Sequence, residues 1–363
     1  MSALTESLLD QEPKVHASKF MRAVAIGVVV IAAFIGGAEP MVVRFIQKQR
    51  GTATDMMLPI FFWKHVGMAA VGGTYGLVVH WRSRRDKGKD ASHGTSIGKK
   101  ELLCLAVGTG IETLTHLAWC YAQVVTTASH AIALFIMTPP WTCVLSWLLL
   151  GKRPENHTIF ASVLAMCAAA AIIAASYLTD QPEPDNELTG DPAVHQVDLG
   201  ADVVALLSGM LMAAYYTSIE WAEGVSPDAP MHLAAPLAAA VDAVLILIGA
   251  QALGVPLATL LGEGVHIVGF VTFVILLSLV EATYDIIPTW ASKYLSAPSI
   301  SLILLLELPV GPLYVLTTFG EVPSMVDWIA IGVIVFALAI ENVAPLSASR
   351  QRASSRLSGR TSK

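Results

Sequence analysis

Long apolar runs, each about the length of a membrane-spanning helix, dominate this sequence. A bilayer core about 30 Å thick requires about 20 consecutive apolar residues per helix. Only 14% of the 363 residues are charged, against about 25% in soluble domains, and the mean hydropathy is +0.63. The sequence therefore predicts an all-α polytopic membrane protein with ten transmembrane helices. They cover approximately residues 21–46, 58–81, 101–124, 127–150, 156–178, 200–223, 230–253, 264–289, 295–319 and 325–346.

The loops between these runs differ in charge and so indicate how the helices are oriented. The segment "RSRRDKGKDASHGTSIGKK" is strongly basic, whereas "TDQPEPDNELTGDPAVHQVDLG" contains six acidic residues and no lysine or arginine. With a cytosolic N-terminus, only four of the 22 basic residues fall on the opposite side, namely Arg44, Lys48, Arg50 and Lys64. The positive-inside rule thus predicts that both termini are cytosolic. The polar leader lacks the features of a cleaved signal peptide, so we expect the first helix to be retained.

Composition and motifs argue against several classes of function. The net charge of -6 is small, and basic residues cluster in loops and the tail, which disfavours nucleic-acid binding. Four cysteines lie singly in apolar runs, without metal-binding spacing, so we expect packed small residues and neither metal nor cofactor. The chain has no Walker motif, HExxH or GxSxG, so we expect neither an ATP-driven pump nor an enzyme. The cysteines are Cys104, Cys120, Cys143 and Cys167.

The sequence repeats itself at an offset of 169 residues. The segment "ASHAIALFIMTPPWTCVLSWLLLGKRPE" aligns with "APSISLILLLELPVGPLYVLTTFGEVPS", so that Pro140 meets Pro309 and Gly151 meets Gly320. Because the repeated unit has five helices, an odd number, its second copy enters the membrane from the opposite side. The sequence therefore predicts two inverted five-helix repeats.

This repeat divides the chain into five segments. We predict a cytosolic polar leader, a first repeat, an acidic non-cytosolic loop, a second repeat and a basic cytosolic tail. The tail is interpreted as a disordered segment attracted to anionic lipid, or as a regulatory or sorting signal. The segments cover residues 1–20, 21–178, 179–199, 200–346 and 347–363.

The repeated segments resemble the EamA-like branch of the drug/metabolite transporter superfamily. The carrying features are a proline-containing helix, the turns "GKRPE" and "GEVPS", and an alanine-rich helix after each turn. The opening "GGAEPMVVRF" followed by "LPIFFWKHVG" is similar to the family's first two helices, including the basic residue Lys64. The resemblance implies a ten-helix carrier with a central cavity lined by the first four helices of each half. The alanine-rich fifth and tenth helices would then lie at the periphery.

Two pairs of ionisable residues occupy matching positions in the two repeats. Glu112 and His116 align with Glu281 and Asp285, and each pair has i, i+4 spacing on one helix face. A charge at the bilayer centre costs at least ~2.5–3.5 kcal/mol, so neither pair is expected to face lipid. We interpret them as a cavity site that binds a polar or cationic group or exchanges a proton. The alternative is an interhelical hydrogen-bonded latch with protonated acids.

Other ionisable residues in the apolar runs are candidates for the same cavity. Glu39 precedes Pro40, whose ring frees a backbone carbonyl beside the acid. Asp242 lies near the middle of the seventh run, and Glu307 lies two residues before Pro309. For these acids the alternative is a hinge or a buried hydrogen bond to a neighbouring helix.

Lys64 and the aromatic residues have two interpretations each. Lys64 and His65 are interpreted as interfacial residues whose polar ends reach water. The alternative for Lys64 is that it is a counter-ion for the acids. Trp119 and Tyr121 are either interfacial anchors or stacking partners for a substrate.

Two further features concern architecture. The segment "GGTYG" contains Gly72-x-x-x-Gly76, a motif for close helix packing. Pro139-Pro140, Pro288 and Pro309 are expected to kink their helices.

These features favour a secondary transporter that works by alternating access without ATP. Because acids outnumber bases in the candidate cavity, we expect a small cationic, zwitterionic or neutral metabolite, or proton coupling. A nucleotide-sugar or other organic-anion exchanger of the same superfamily is the first alternative. A non-transporting scaffold or receptor is the second. The protein would act in the lipid bilayer as a monomer or homodimer.

Overall fold

The computed structural model describes a helical bundle. The described residues are 19–39, 53–87, 97–125, 134–135, 137–178, 199–261, 267–319, 325–326 and 328–341. Every regular element within these ranges is a helix, and none of them contains a strand. The basic tail, Pro40 and nearly all of the predicted leader and of the acidic loop lie outside the described residues, and the last two leader residues, Lys19 and Phe20, begin α1.

Helices occupy all ten predicted regions within the described part of the chain. A single turn at Leu257–Leu260 and a 3-10 turn at Met231–Leu233 lie between longer helices. We number the main helices in chain order. They are α1 Lys19–Gly36, α2 Ala53–Lys87, α3 Lys99–Val125, α4 Thr138–Leu150, α5 Asn156–Leu178, α6 Leu199–Val225, α7 Ala234–Ala252, α8 Ile267–Ala291, α9 Ala297–Leu304, α10 Glu307–Phe319 and α11 Trp328–Glu341.

Four of these helices are long and apolar enough to cross a membrane. Their apolar spans are Lys99–Ala122, Val203–Val225, Met231–Ala252 and Phe270–Ala291. Shorter apolar stretches occur in α1, α5 and α11. Large apolar side chains such as Leu148 and Ile248 project from the outside of the bundle. An all-helical fold with an apolar exterior is consistent with an integral membrane protein.

The predicted ninth span is two helices rather than one. α9 ends at Leu304, a turn follows, and α10 begins at Glu307. Pro309 lies in the first turn of α10, where its missing N–H costs no helical hydrogen bond. The kink expected at this proline is therefore a break, which puts Glu307 at the start of a new helix.

The prolines of α4 and α8 differ in their effect. Pro139 and Pro140 lie in the first turn of α4, which begins at Thr138, so they start this helix rather than kink it. The prediction of a kink there was wrong for the described residues. Pro288 lies inside α8, as the sequence predicted.

The Gly72-x-x-x-Gly76 motif packs α2 against the start of α7. A Cβ atom on Gly72 would lie 3.3 Å from Pro236, and one on Gly76 would lie 2.5 Å from Leu233 and 3.2 Å from the carbonyl oxygen of His232. The predicted close-packing role is confirmed for this pair of helices.

Gly67 marks an even closer contact, between α2 and α8. A Cβ atom at this position would overlap the Ser278 hydroxyl and lie 2.6 Å from the Ser278 Cβ. We expect Gly67→Ala to lower the thermal unfolding temperature of the purified protein, with a loss of roughly 1–3 kcal/mol from overpacking. Gly110→Ala is the matched control, because nothing lies within 4 Å of its added Cβ. Equal stability of the two variants would contradict this packing.

Two alanine-rich helices form a cluster of their own. Ala161 and Ala165 of α5 pack with Ala330 and Ala337 of α11, and α9 contributes Leu302. Three of the four cysteines are buried as predicted, whereas Cys167 is exposed on α5.

Candidate transport site

A small cavity lies inside the bundle, where α1, α2, α3, α6, α8 and α10 meet. Its volume is about 30 Å³, which is room for a few water molecules at most. Trp119 and Phe135 form part of an apolar wall. The ionisable residues in its lining are Glu39, Lys64, His65, His116, Glu281, Asp285 and Glu307.

Lys64 bridges two carboxylates from different helices. Its Nζ donates to Oε1 of Glu39 at 3.0 Å and to Oε1 of Glu281 at 2.7 Å. Lys64 is only 2% exposed, so it does not reach an interface as one interpretation proposed. The geometry agrees with the alternative, in which Lys64 is the counter-ion of the acids.

His116 lies at the centre of a second polar group. Its Nδ1 lies 2.8 Å from Oδ2 of Asp242 on α7. Its Nε2 lies 3.4 Å from Oε1 of Glu112, on the same helix, and 4.0 Å from Oδ2 of Asp285 on α8. The i, i+4 spacing of Glu112 and His116 puts both on the inner face of α3, and Glu112 is fully buried.

Of the two pairs aligned by the repeat, Glu112/His116 and Glu281/Asp285, only Asp285 approaches a member of the other pair. Asp285 approaches His116, but Glu281 turns to Lys64 instead. The nearest partner of His116 is Asp242, which the repeat offset did not pair with it.

Glu307 lines the cavity at the point where the predicted ninth span is interrupted, between α9 and α10. As the first residue of α10 it lies at a helix N-terminus, where a carboxylate interacts favourably with the helix dipole. Gly36 of α1 permits the approach, because a Cβ there would lie 2.7 Å from the Tyr284 ring and 3.4 Å from the Glu307 carboxyl carbon.

The aromatic candidates divide between the inside and the outside. Trp119 lines the cavity and packs against Phe135 with ring centroids 4.7 Å apart. Tyr121 is 53% exposed and lies outside the lining. Of the two, Trp119 is placed to contact a bound molecule and Tyr121 is not.

Two buried acids and one buried histidine were not among the predicted site residues. His65 is fully buried beside Lys64, and its Nε2 lies 3.8 Å from Oδ2 of Asp242. Glu220 and Glu341 are also buried, at 5% and 3% exposure. Glu220 and Glu341 lie near the ends of apolar runs, where an acid is usually solvated, so the sequence pattern does not distinguish them.

Glu220 links the two halves of the chain at one end of the bundle. Its Oε1 accepts from Nζ of Lys152 at 2.8 Å, just after α4. Its Oε2 accepts from the backbone N–H of Ala297 at 2.9 Å, at the start of α9. Nearby, the Ser292 hydroxyl donates to Glu223 at 2.7 Å. These bonds tie α4, α6, α8 and α9 together away from the cavity.

We expect Glu220→Ala to destabilise the protein more than Lys152→Ala. The glutamate substitution leaves the buried N–H of Ala297 without its acceptor, a loss of about 1.5–3 kcal/mol. Lys152 has a 55% exposed side chain, and an exposed ion pair is worth about 0–1 kcal/mol. Thermal unfolding of both variants measures the difference, and the reverse order would contradict the assigned hydrogen bonds.

The charges around the cavity do not balance. Six acids lie in this region, namely Glu39, Glu112, Asp242, Glu281, Asp285 and Glu307, against one lysine, Lys64, and two histidines among the described residues. Uncompensated charge is costly in a low-dielectric interior. The arrangement therefore suits cations or protons and disfavours anions.

Fold and cavity together define a helical membrane protein with a polar centre. Residues 22–174 match the sequence profile of the EamA-like transporter family. The resemblance seen in the sequence is thereby confirmed. This match supports the assignment of the chain as a membrane transporter of the drug/metabolite transporter superfamily.

Structural comparison gives the same fold over most of the chain. A solved structure described only as "Crystal structure of protein" superposes with a TM-score of 0.59 at 14% sequence identity. The match covers 88% of this chain and 99% of the other. No curated protein sequence matches this chain significantly.

Proposed function

We propose that this protein is a secondary transporter of a small cationic, zwitterionic or neutral metabolite and that protons drive it. The observation that carries the proposal is the buried excess of acids around the cavity. Lys64 already donates to Glu39 and Glu281, so it offers no vacant positive charge for a phosphate or sugar nucleotide. This argues against the organic-anion alternative.

The proposed mechanism is alternating access between two inverted five-helix repeats. Contacts between the repeats come in pairs that such symmetry requires. α3 packs on α6 as α8 packs on α1, and α2 packs on α8 as α7 packs on α3. The two-fold operation that exchanges the repeats also converts the contact of α4 with α6 into the contact of α9 with α1. This pairing supports the division at residues 21–178 and 200–346 and an even number of crossings, which puts both termini on one side of the membrane. The positive-inside rule makes that side the cytosol.

The size of the cavity supports a cycle of opening and closing. Pockets for small metabolites usually have volumes of roughly 300–1,000 Å³, and this one is about 30 Å³. We therefore assign the conformation to a closed state, in which the bonds of Glu220 hold one end of the bundle shut. Parting of the repeats would enlarge the cavity for the substrate.

Uptake into proteoliposomes tests the proposed function. Purified protein is screened with amino acids, amines, bases and nucleotide sugars, with and without an imposed pH gradient. We expect saturable uptake of a cationic, zwitterionic or neutral compound that the gradient accelerates. Uptake of nucleotide sugars alone would contradict the substrate class, and uptake indifferent to the gradient would contradict the coupling.

His116 tests where the proton is carried. This residue joins Asp242, Glu112 and Asp285, so we expect His116→Gln to flatten the pH dependence of uptake. An unchanged pH profile would mean that His116 only orients these acids. His157→Gln is the control, because His157 lies outside the cavity lining, near Glu155 and Glu341.

A further inference from the structure

His65 presents an unused nitrogen to a buried carboxylate. Its Nδ1 lies 2.7 Å from the backbone oxygen of Phe61. Because a carbonyl oxygen can only accept, Nδ1 carries the hydrogen and Nε2 carries the lone pair of the neutral ring. The side chain of His65 is fully buried, so water does not reach that lone pair from outside.

The lone pair faces Asp242. His65 Nε2 lies 3.8 Å from Oδ2 of Asp242, whose side chain is also fully buried. Neither His65 Nε2 nor Oδ1 of Asp242 has a hydrogen-bond partner among the described residues. Oδ2 itself lies 2.8 Å from Nδ1 of His116, whereas the lone pair of His65 faces a carboxylate with no donor of its own. A cation between these atoms would stabilise the buried arrangement.

His116 completes a group of three potential ligands. Its ring lies 5.3 Å from the ring of His65, centroid to centroid. Donor atoms of His65, His116 and Asp242 all lie within 4.8 Å of one another. They come from three helices, α2, α3 and α7, of which α7 packs against both of the others.

The ligand set matches a transition metal rather than an alkali or alkaline-earth ion. Two imidazoles and one carboxylate are a common ligand set for Zn²⁺ and related ions, whereas Ca²⁺ and Mg²⁺ prefer oxygen ligands alone. Bond lengths of about 2.0–2.2 Å in a tetrahedral site put neighbouring ligands roughly 3.3–3.6 Å apart. To reach this range, the separation of 3.8 Å between His65 and Asp242 would shorten slightly, and the separation of 2.8 Å between His116 and Asp242 would lengthen.

The surroundings of His65 also fit metal ligation. Histidine ligands almost always donate their other ring N–H to a carbonyl or carboxylate, which fixes the tautomer and the ring. The bond from His65 to Phe61 has this role. Beside the group, Glu112 is fully buried, and its Oε1 lies 3.4 Å from Nε2 of His116, so this carboxylate can accept the other ring N–H of His116 when Nδ1 binds an ion.

We propose that His65, His116 and Asp242 bind one divalent transition-metal ion of the Zn²⁺ class. The ion takes the place of the proton between His116 and Asp242, which is released to solvent. This inference does not depend on the transported substrate. The three side chains are already close together in this structure, whose cavity of about 30 Å³ is too small for a metabolite.

Cobalt titration of the full-length protein tests the site. Protein purified in detergent and treated with a chelator is titrated with Co²⁺, whose visible absorption reports nitrogen and oxygen ligation in low coordination. We expect one Co²⁺ per chain, displaced by Zn²⁺ and not by Mg²⁺. His65→Gln should weaken binding by at least ~100-fold, because loss of a residue that only hydrogen-bonds to a metal ligand already weakens metal binding by about 10–100-fold. His80→Gln, on the same helix and outside the cavity lining, should bind as the unmodified chain does.

A second variant gains a spectroscopic band instead of losing metal binding, so misfolding of the variant cannot imitate the expected result. In His65→Cys a thiolate replaces the imidazole, so Co²⁺ should acquire a sulfur-to-metal charge-transfer band in the near ultraviolet. Absence of stoichiometric Co²⁺ binding by the unmodified chain would overturn the proposal. So would unweakened binding in His65→Gln, or a His65→Cys protein that binds Co²⁺ without the new band. Because the readout is metal binding, failure of the site is distinct from failure of the transport assignment.

Discussion

Lys64→Met is expected to abolish uptake and to lower the thermal stability of the purified protein. Lys64 holds Glu39 and Glu281 together at 3.0 and 2.7 Å inside the bundle. Removal of one partner from a buried ion pair costs about 3–5 kcal/mol, because the remaining charge has no compensation. Uptake by proteoliposomes and thermal unfolding in detergent measure the two effects.

A second substitution separates charge from packing. In Lys64→Met with Glu281→Gln, one of the two carboxylates is neutral, so part of the lost stability should return. Uptake should stay low, since the cavity has lost both groups. Lys100→Met is the matched control, because Lys100 is exposed at the start of α3. If Lys64→Met unfolds no earlier than Lys100→Met, Lys64 is not the counter-ion of these acids.

Glu112→Gln and Glu281→Gln, made separately, are expected to reduce uptake by at least ~10-fold while the protein still reaches the membrane. Each substitution keeps the shape of the side chain and removes a charge. Glu281 loses the charged acceptor of its bond from Lys64, and a hydrogen bond to a charged group is worth about 1.5–3 kcal/mol. Glu112 loses the negative charge that lies 3.4 Å from Nε2 of His116. A tenfold change corresponds to about 1.4 kcal/mol. Initial uptake rates normalised to membrane-inserted protein give the measurement.

This pair of substitutions also distinguishes a transporter from a scaffold. A scaffold should be indifferent to both, because Glu112 is fully buried and Glu281 lines the cavity with its side chain 12% exposed. Glu155→Gln is the control, since the Glu155 side chain is 74% exposed and lies outside the cavity lining. Uptake that stays normal in both cavity variants would favour the scaffold or receptor.

Most of the fold could be predicted from hydropathy. Helices lie in all ten predicted regions of the described chain, because an apolar run long enough to cross a bilayer must satisfy its backbone internally. Local chemistry sets the exceptions. The break before Glu307 and the start of α4 at Thr138 both come from prolines, whose position within a helix the hydropathy pattern does not determine.

The candidate site was only half predictable. The cost of a charge facing lipid was sufficient to place Glu112, His116 and Asp242 inside the bundle. The same argument does not say which buried groups meet, since partners such as Lys64 and Glu281 are 217 residues apart. Nor did it distinguish Trp119, in the cavity wall, from Tyr121, two residues away on the exposed side.

The sequence by itself determined that this chain is helical, apolar outside and charged within, and its motifs indicated a resemblance to the EamA-like transporters, whose profile residues 22–174 match. Only the tertiary structure decided that Lys64 bridges Glu39 and Glu281, that His116 turns to Asp242, and that His65 completes that group. The reason is geometric. Hydropathy reports whether each residue prefers water or lipid. Which side chains become partners depends on how far each helix is rotated about its axis and shifted along it, and the packing of neighbouring helices sets both.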